Sequence, residues 1–469
     1  MAESFGEMVL PGTDIEVRAE GLIGVGAIVT GNIGIVGTAA RGPVDEVVTL
    51  GSYGDALDLF GAYDAFDNPS ETDNPLTLVR ALEKVFAGGG SSIFAVRAAN
   101  GTPTAATLDV QASGAQPGFT LTANSGGTWG RSVGVIVTSE TVDGNTTFRM
   151  TLTYRNIKEI YEGATVGDVH PQLANSTLVT VGAAQNGGAG LELIDDSLAG
   201  GSDGAAVSTV DLARALAVLD DQPINIVTVA GGSANVVGNI LLSHVENTEN
   251  DGRERIAVVG ARESGSSSAA PGVLLDAGAI SDDRVVLCAP GLVSTDAASG
   301  NPVVLPPAYA AAVIAGKIST LAPHISLTNK QVPVTPDTRY STPLTKTLLQ
   351  NRVLVVRQKI GAQVVKGITT SPKPFDQISI RRIVDYAKAG VRSGSDPYIG
   401  RLNNARVRAA LKATLDGFLS QMVLDEMLTE YQLDVDASRA EEINGIARVT
   451  MTLKPTFSID FIRVTMNLE

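Results

Sequence analysis

Three glycines stand three residues apart in the stretch GNIGIVGTAARG, residues 31–42. Glycines at such short spacing let the backbone approach a pyrophosphate, as they do in dinucleotide-binding loops. Those loops also need a helix directly after the last glycine, because the phosphate is held at the helix N-terminus. Here TAARGPVDEVV follows, and its Gly42-Pro43 pair and β-branched residues predict a turn and then a strand. We therefore interpret the glycines as points of close strand packing and predict no bound cofactor.

The residues that could act as nucleophiles, bases or metal ligands form no recognisable catalytic or metal-binding pattern. The chain has one cysteine, Cys288, so an intrachain disulfide is excluded. Its three histidines are widely separated in sequence, which disfavours a metal site. The sequence contains no Walker motif. His244 lies near Glu246 and Glu249 in a helical pattern, without a serine or cysteine placed to complete a triad. We predict a protein that is not an enzyme and has no catalytic residues, with an α/β nucleotide-dependent enzyme as the alternative.

Charged residues are distributed unevenly along the chain. The formal net charge is −15, yet residues 351–412 hold 13 Lys and Arg against three Asp. This asymmetry predicts a basic surface on one side of the protein and acidic surface elsewhere. The basic surface is either a solvated helix face or a docking surface for an acidic partner. Nucleic-acid binding is a minor alternative, since aromatic residues make up only 4% of the chain and no nucleic-acid-reading motif occurs.

Membrane and export signals are not found in the sequence. No run approaches the roughly 18 consecutive apolar residues needed to span a bilayer. The N-terminal stretch MAESFGEMVLPG lacks the basic region and the apolar run of a signal peptide. We therefore expect the chain to fold in the cytoplasm and not to insert into a membrane.

Apolar periodicity predicts a mixed α/β architecture. Strand and helix patterns alternate over residues 21–100, with IGIVGTA as a buried strand and a helix capped by Asn74 and opened by Pro75. Residues 101–194 are rich in Thr, Gly, Ser and Asn and alternate in polarity, which predicts a β-rich insertion. The α/β pattern returns over residues 195–344. The chain length fits roughly two to four domains.

The region after residue 345 predicts two strands and then two helices. The first helix, ISIRRIVDYAKAGVRS, carries an apolar stripe that includes Ile383 and Ala387. Arg381, Lys388 and Arg392 lie on the opposite face of this helix, because they are spaced seven and eleven residues apart. We call these three residues the basic stripe.

Both ends of the chain carry short alternating segments. Near the N-terminus, DIEVRAEG places Ile15 and Val17 on one face of a short strand. After Pro455 the chain alternates to its end, but its apolar residues change face near Phe461, which predicts a β-bulge. A terminal strand of this kind needs a sheet to join and invites pairing with another chain. The candidate pairing residues of this strand are Phe457, Ile459, Phe461, Ile462, Val464, Met466 and Leu468.

Several segments, taken in order, resemble the contractile tail sheath family of phage tail sheaths, R-type pyocins and extracellular contractile injection systems. VGTAARGPVDEVVTLGSYGDALDLFG resembles the N-terminal strand and Gly-Pro turn of the family, and NPLTLVRALEKVFAGGGSSIFAVRA resembles the helix and strand that follow. SGGTWGRSVGVIV, which holds the only tryptophan, is similar to the entry into the inserted domain. LTKTLLQNRVLVVRQKIGAQVVKGITT and ISIRRIVDYAKAGV are similar to the most recognisable part of the family.

This resemblance implies a structural subunit and no cofactor. Sheath subunits form stacked hexameric rings around an inner tube and contract to drive that tube through a target cell envelope. The implied partners are other copies of the chain, the inner tube protein, and the baseplate and tail-terminator proteins. The implied location is the tail of a virion or an injection particle that is assembled in the host cytoplasm. Another structural protein of the same particle is the second alternative.

The resemblance also implies a division of the chain. The fold class is α/β (multidomain α+β), and the sheet of the C-terminal domain is completed by arms from neighbouring subunits. In that family the C-terminal domain faces the tube, so the basic stripe becomes a candidate tube contact. The implied segments are an N-terminal arm (1–20), the two parts of an α/β core (21–100 and 195–344), an inserted outer β-rich domain (101–194), an inner tube-facing domain (345–454) and a C-terminal arm strand (455–469).

Overall fold

The computed structural model describes residues 28–63, 66, 75–262, 270–372 and 376–468. These residues fall into two compact units. The larger one, which we call the α/β body, contains residues 29–382 and, after a break, the residues from 458 onward. The smaller one, which we call the C-terminal unit, contains residues 383–457 together with residue 28.

Strands and helices are numbered in the order in which they follow one another along the chain. The strands are β1 (Ile33–Gly37), β2 (Val47–Leu50), β3 (Ile93–Arg97), β4 (Thr104–Ala112), β5 (Gln116–Ala123), β6 (Gly134–Val142), β7 (Asn145–Tyr154), β8 (Ile157–Gly163), β9 (Val179–Val181), β10 (Ile194–Ser197), β11 (Ala199–Ser202), β12 (Ile226–Val229), β13 (Ile256–Gly260), β14 (Val285–Ala289), β15 (Leu292–Thr295), β16 (Pro302–Leu305), β17 (Thr335–Pro336), β18 (Leu354–Lys359), β19 (Gly361–Val364), β20 (Leu428–Asp436) and β21 (Arg448–Pro455). The helices are α1 (Tyr53–Phe60), α2 (Leu78–Gly88), α3 (Val166–Val169), α4 (Thr209–Ala217), α5 (Ala234–Asn250), α6 (Ala270–Ala279), α7 (Pro307–Ser319), α8 (Thr342–Gln350), α9 (Ile378–Ser395), α10 (Ala405–Leu424) and α11 (Arg439–Ile443). Within the described ranges, none of the helices combines the length and the hydropathy that a bilayer crossing requires.

An eight-stranded sheet forms the centre of the α/β body. Its strand order is β19-β18-β14-β13-β12-β1-β3-β2. The strands from β18 to β3 run parallel, while β19 and β2 pair antiparallel at the two edges. Parallel strands of this kind are buried on both faces, because their crossovers place helices on both sides. The sequences IGIVG in β1 and VVLCA in β14 are accordingly apolar and buried along their whole length.

Separate hydrophobic cores cover the two faces of this sheet. One face packs against α1, α2 and α7, and the other packs against α4, α5, α6 and α8. The helices α2 and α7 approach each other closely at two glycines. A Cβ atom added to Gly88 would lie 2.3 Å from the carbonyl oxygen of Val313, and one added to Gly316 would lie 2.2 Å from that of Val85. Larger residues at these two positions would push the helices apart.

The glycines of the opening stretch lie against protein atoms. A Cβ atom on Gly34 would lie 2.8 Å from the side chain of Ile224, and one on Gly37 would lie 2.6 Å from that of Ala230. After β1 the chain turns at Gly42, where φ is +97°, and it reaches β2 without forming a helix. The placement agrees with the interpretation of these glycines as points of close packing.

Residues 104–202 form two four-stranded antiparallel sheets that share one core. Their strand orders are β10-β6-β7-β8 and β11-β4-β5-β9. Leu121 from one sheet and Met150 and Leu152 from the other are fully buried in the shared core. Because β10 and β11 belong to these sheets, the β-rich segment continues to residue 202, beyond the predicted limit at residue 194.

Buried polar contacts join this β-rich segment to the central sheet of the α/β body. Arg97, at the end of β3, is 2% exposed and donates hydrogen bonds of 2.9 Å to the carbonyl oxygens of Gly42 and Gly126. Its guanidinium lies 3.9 Å from Asp203, and that carboxylate accepts a 2.9 Å hydrogen bond from the Thr128 amide. Burial lowers the pKa of Arg97 to about 10, so it stays charged at neutral pH. The contacts hold the two parts of the body in a fixed arrangement.

Packing of aromatic rings reinforces the same junction. The guanidinium of Arg41 lies 5.3 Å from the centre of the Trp129 ring and 5.5 Å from that of Tyr154. The two rings meet edge to face at 5.1 Å. A cation above such rings is attracted to their negative faces. The single tryptophan of the chain, which marked the entry into the insertion in the sequence, is therefore part of this joint.

The start of α2 differs from the prediction. The helix begins at Leu78 rather than Pro75, and its N-cap is Thr77 rather than Asn74, which lies outside the described residues. The amides of Thr77 and Leu78 both donate to the carbonyl oxygen of Thr38. A tertiary contact thus occupies amides that a local capping side chain would otherwise bind.

His244 is buried on α5 in an environment that favours its neutral form. Its Nε2 lies 3.0 Å from the guanidinium of Arg255 and accepts a hydrogen bond from it, while its Nδ1 lies 3.1 Å from the carboxylate of Asp220. Burial, with a smaller contribution from the charge of Arg255, lowers the pKa of His244 to about 3. The nearby groups therefore fix a tautomer in which Nδ1 carries the proton.

We expect the stability of the α/β body to fall in acid because of His244. Its pKa is about 3 in the folded chain and about 6.5 in the unfolded chain, so its contribution is complete above pH 6.5. That contribution declines by about 1.4 kcal/mol per pH unit between this value and about pH 3, where His244 also takes up a proton in the folded chain. His244→Gln, which keeps one donor and one acceptor, should flatten this decline in urea unfolding followed by Trp129 fluorescence. His170→Gln is the matched control, and equal pH profiles for His244→Gln and the parent chain would contradict the expectation.

Candidate assembly surfaces

A two-stranded sheet in the C-terminal unit has two open edges. β20 and β21 pair antiparallel with each other, and the described residues provide no further strand for this sheet. Tyr431, Leu433 and Val435 of β20 are half-buried on one face, opposite Leu453 and Met451 among others. An isolated two-stranded sheet is only marginally stable in water, and a third strand would strengthen it. The hairpin is therefore a candidate acceptor for an added strand.

Helices α9 and α10 support this hairpin. Tyr398, Leu411 and Leu415 form a small core against which Leu433 and Val435 pack. Because Leu411 and Leu415 lie four residues apart on α10, they share one face of this helix, and the hairpin covers that face. The support leaves the edges of the hairpin, rather than its inner face, available to a partner.

The two helices also meet at a glycine. The rings of Tyr386 on α9 and Phe418 on α10 stack with their centres 5.7 Å apart. A Cβ atom on Gly390 would lie only 2.0 Å from the Phe418 ring. The stack therefore depends on the absence of a side chain at position 390.

The C-terminal unit has a groove with exposed apolar residues. It has a volume of about 340 Å³ and is lined by Tyr398, Ile399, Leu402 and Ile446 among others. Ile399 and Leu402 are 79% and 78% exposed. Exposed apolar residues that cluster beside a groove are typical of interaction surfaces.

The predicted C-terminal arm strand is described from residue 456 to residue 468. These residues are assigned to neither helix nor strand. The predicted β-bulge is accordingly not formed in the single chain, since the segment has no sheet to pair with. The candidate pairing residues are all more than half exposed: Phe457 (52%), Ile459 (79%), Phe461 (83%), Ile462 (82%), Val464 (74%), Met466 (84%) and Leu468 (98%). Their role between subunits stays a prediction, as does that of Ile15 and Val17, which lie outside the described residues.

Residues of the basic stripe lie on α9 but have different surroundings. The guanidinium of Arg381 lies 3.3 Å from the carboxylate of Asp283, and its side chain is only 12% exposed. Lys388 is half-buried and Arg392 is exposed. Arg381 belongs to the α/β body, whereas the other two belong to the C-terminal unit. Arg381 therefore forms an ion pair within its own chain. Contact between the basic stripe and the tube stays a prediction.

One polar residue of the arm was not singled out by the sequence pattern. Asp460 is 10% exposed, although Ile459 and Phe461 beside it are almost fully exposed. Its carboxylate accepts a 3.0 Å hydrogen bond from Gln377 and lies 3.6 Å from the ammonium group of Lys366. The only feature of the local sequence that could have indicated Asp460 is its position directly before Phe461, near which the apolar alternation changes face.

Cys288 and His244, whose side chains are the best suited to catalysis or metal binding, are buried and do not line these surfaces. Cys288 lies in β14 with no exposed area, and burial raises the pKa of its thiol. His244 is held between Arg255 and Asp220 on the α/β body. Among the residues that the structure describes, no three His, Cys, Asp or Glu side chains are grouped in a way that could hold a metal ion.

Comparison with known proteins places the C-terminal region in a described family. Residues 370–469 match the family profile of the phage tail sheath C-terminal domain. This range includes α9, α10, the β20–β21 hairpin and the arm. Among proteins with curated functions, none matches the sequence.

Solved structures resemble the chain over nearly its whole length. The sheath tail protein of Desulfitobacterium hafniense is 16% identical, with a TM-score of 0.68 over 95% of this chain and 100% of that chain. The sheath complex of the extracellular contractile injection system PVC, in its contracted state, is 13% identical, with a TM-score of 0.58 over 99% of both chains. The helical sheath of the anti-feeding prophage, also contracted, is 14% identical, with a TM-score of 0.57 over 98% of this chain and 100% of that chain. The shared fold confirms the predicted mixed α/β class.

We expect two glycine substitutions in the C-terminal unit to have opposite effects. Gly390→Ala should destabilise the unit by about 1–3 kcal/mol, because the new methyl group would displace the Phe418 ring. Gly417→Ala, on α10, is the matched control, since nothing lies within 4 Å of its added Cβ atom. This control should stabilise the helix by up to about 1 kcal/mol, because alanine is the better helix former. Hydrogen exchange of the α9 and α10 amides measures both effects, and equal protection in the two variants would contradict the packing described.

Proposed function

We propose that this chain, a member of the contractile tail sheath family by its C-terminal domain and its whole-chain fold, is a structural subunit of a contractile sheath. It polymerises as stacked hexameric rings around an inner tube and contracts to drive that tube through a target cell envelope. One observation carries the proposal. The tail sheath C-terminal profile matches residues 370–469 of a chain whose complete fold aligns with sheath subunits in contracted assemblies.

In this proposal the energy for contraction is stored in the assembly itself. The extended sheath is a metastable packing held by contacts to the tube and the baseplate, and the contracted packing buries more surface between subunits. Each subunit moves as a nearly rigid body while its arms keep it linked to its neighbours. The two cores on the central sheet and the buried Arg97 junction support such rigidity.

Strand addition is the proposed link between subunits. The arm offers a segment with exposed apolar residues, and the hairpin of another copy offers an open edge. Main-chain hydrogen bonds between them would form one sheet from two chains. The N-terminal arm, residues 1–20, is proposed to act in the same way.

The proposed partners follow from this arrangement. They are other copies of the chain, the inner tube protein, and the baseplate and tail-terminator proteins at the two ends of the stack. The basic stripe is proposed to face the tube, since Lys388 and Arg392 supply positive charge to the C-terminal unit. The sheath would be assembled in the host cytoplasm as part of a virion tail or an injection particle, in a role that needs no catalysis.

Electron microscopy of the purified chain tests the proposal directly. We expect regular tubes of stacked rings in negative stain, whereas discrete particles would favour the alternative of an α/β enzyme. Deletion of residues 457–469 should abolish the tubes, because it removes the donated strand. Tubes that still form and contract normally without this segment would contradict strand addition.

A proline substitution separates main-chain pairing from side-chain burial in the same arm. Val464→Pro removes a backbone donor and should prevent tube formation. Val464→Ala is the matched control, since it retains the backbone donor and loses only apolar contact. Equal tube yields from both variants would show that the arm does not pair as a strand.

Charge reversal tests the proposed tube contact. The double substitution of Lys388→Glu with Arg392→Glu should weaken cosedimentation with preformed inner tube, most clearly at low salt, where charge attraction is least screened. Lys158→Glu, at an exposed position on the β-rich insertion, is the control and should leave binding unchanged. Arg381 is left intact because its reversal would break the ion pair with Asp283. Undiminished binding by the double variant would exclude this surface.

A further inference from the structure

We propose that Asp460 anchors the C-terminal arm to the α/β body, so that only residues 462–468 form the segment donated to another copy. This inference rests on the proposed sheath function and deepens it. The proposal rests on a difference in solvent exposure between Asp460 and the two residues beside it. The Asp460 side chain is 10% exposed, while Ile459 and Phe461 on either side are 79% and 83% exposed.

The carboxylate of Asp460 is held by groups from separate parts of the α/β body. The side-chain amide of Gln377 donates a 3.0 Å hydrogen bond to one of its oxygens, and the hydroxyl of Thr328 donates a 3.2 Å bond to the other. The backbone amide of Ser458 donates a 3.3 Å bond to the side-chain oxygen of Gln377. Residues 458 and 460 are therefore fixed together on the same support.

A charged pair strengthens this attachment. The ammonium group of Lys366 lies 3.6 Å from Asp460 and 3.5 Å from Asp376. Asp376 is also paired with Arg352, so two cations and two carboxylates share the site. Hydrogen bonds that involve charged partners are stronger than neutral ones. The arrangement explains how one short acidic side chain keeps an otherwise exposed segment in place.

The anchor divides the arm into two parts. Residues 458–460 form the root, and residues 462–468 extend beyond it with every side chain exposed. Beyond the anchor the alternation is regular, with Ile462 and Val464 on one face and Arg463 and Thr465 on the other. Seven residues in a strand extend roughly 23 Å. The change of face near Phe461 thus coincides with the boundary between root and donated strand.

The position of the root determines which of the two units is pulled when a neighbouring subunit moves. The arm follows the C-terminal unit in sequence, yet the residues from 458 onward belong to the α/β body. A pull on the donated strand would therefore act on the α/β body through Asp460. We infer that arm and α/β body move as one piece when a neighbouring subunit is displaced.

Spin labelling of the full chain tests the anchor before any assembly. The native Cys288 has no exposed area, so labels attach selectively to Ile459→Cys and Met466→Cys. We expect restricted motion of the label at position 459 and fast motion at position 466. Asp460→Ala should raise the mobile fraction at position 459 by roughly tenfold, as the loss of hydrogen bonds to a charged group predicts. Asp460→Asn, which retains an acceptor but loses the charge, should give an intermediate increase.

Two results of that experiment would overturn the anchor. One is equal mobility at positions 459 and 466 in the parent chain, and the other is an unchanged label at position 459 in Asp460→Ala. Thr465→Ala is the matched control in the donated strand and should leave position 459 restricted.

Assembled tubes test whether the anchor carries load. Tubes of Asp460→Ala should release subunits at a lower urea concentration than tubes of Thr465→Ala. Equal release would overturn the load-bearing role. If the parent chain forms no tubes while position 459 stays restricted, the sheath function fails and the anchor itself stands.

Discussion

The parallel sheet at the centre of the α/β body sets the constraint on which the other features depend. Its strands are apolar on both faces, so both faces need a cover of helices. The close approach of α2 and α7 at Gly88 and Gly316 meets this need on one face. With both faces covered, the sheet and its helices share two close-packed cores. In the proposed assembly, such a body would move as one piece when a neighbouring subunit is displaced.

Regular elements of the chain could be predicted from local sequence because their signals are local. The apolar runs of β1 and β14 and the amphipathic pattern of α9 indicated their structures directly. β20 went unnoticed, although its alternation of Tyr431, Leu433 and Val435 is visible in the sequence. The predicted start of α2 was wrong for another reason. The amides of Thr77 and Leu78 donate to the carbonyl oxygen of Thr38, which is distant in sequence. Nothing in the neighbouring residues reports such a contact.

The residues to which we assign a role in assembly could be predicted only in part. Alternation after Pro455 predicted the arm, and the apolar residues of this segment are exposed in the single chain. The pattern could not reveal Asp460, because its partners Gln377 and Thr328 lie 83 and 132 residues away in sequence. The same limit applies to Arg381, whose helical spacing indicated a free surface. Its partner Asp283 is 98 residues away, and only the fold brings the two together.

The open edges of the β20–β21 hairpin have a consequence for how a stack of such subunits ends. In a chain of copies linked by strand donation, every interior hairpin is filled by a neighbour and every interior arm is used. If the proposed donation runs from ring to ring, one terminal ring would be left with empty hairpins and the other with unused arms. Such a polymer would be polar. Its two ends would present different chemistry, and each would need a different capping protein.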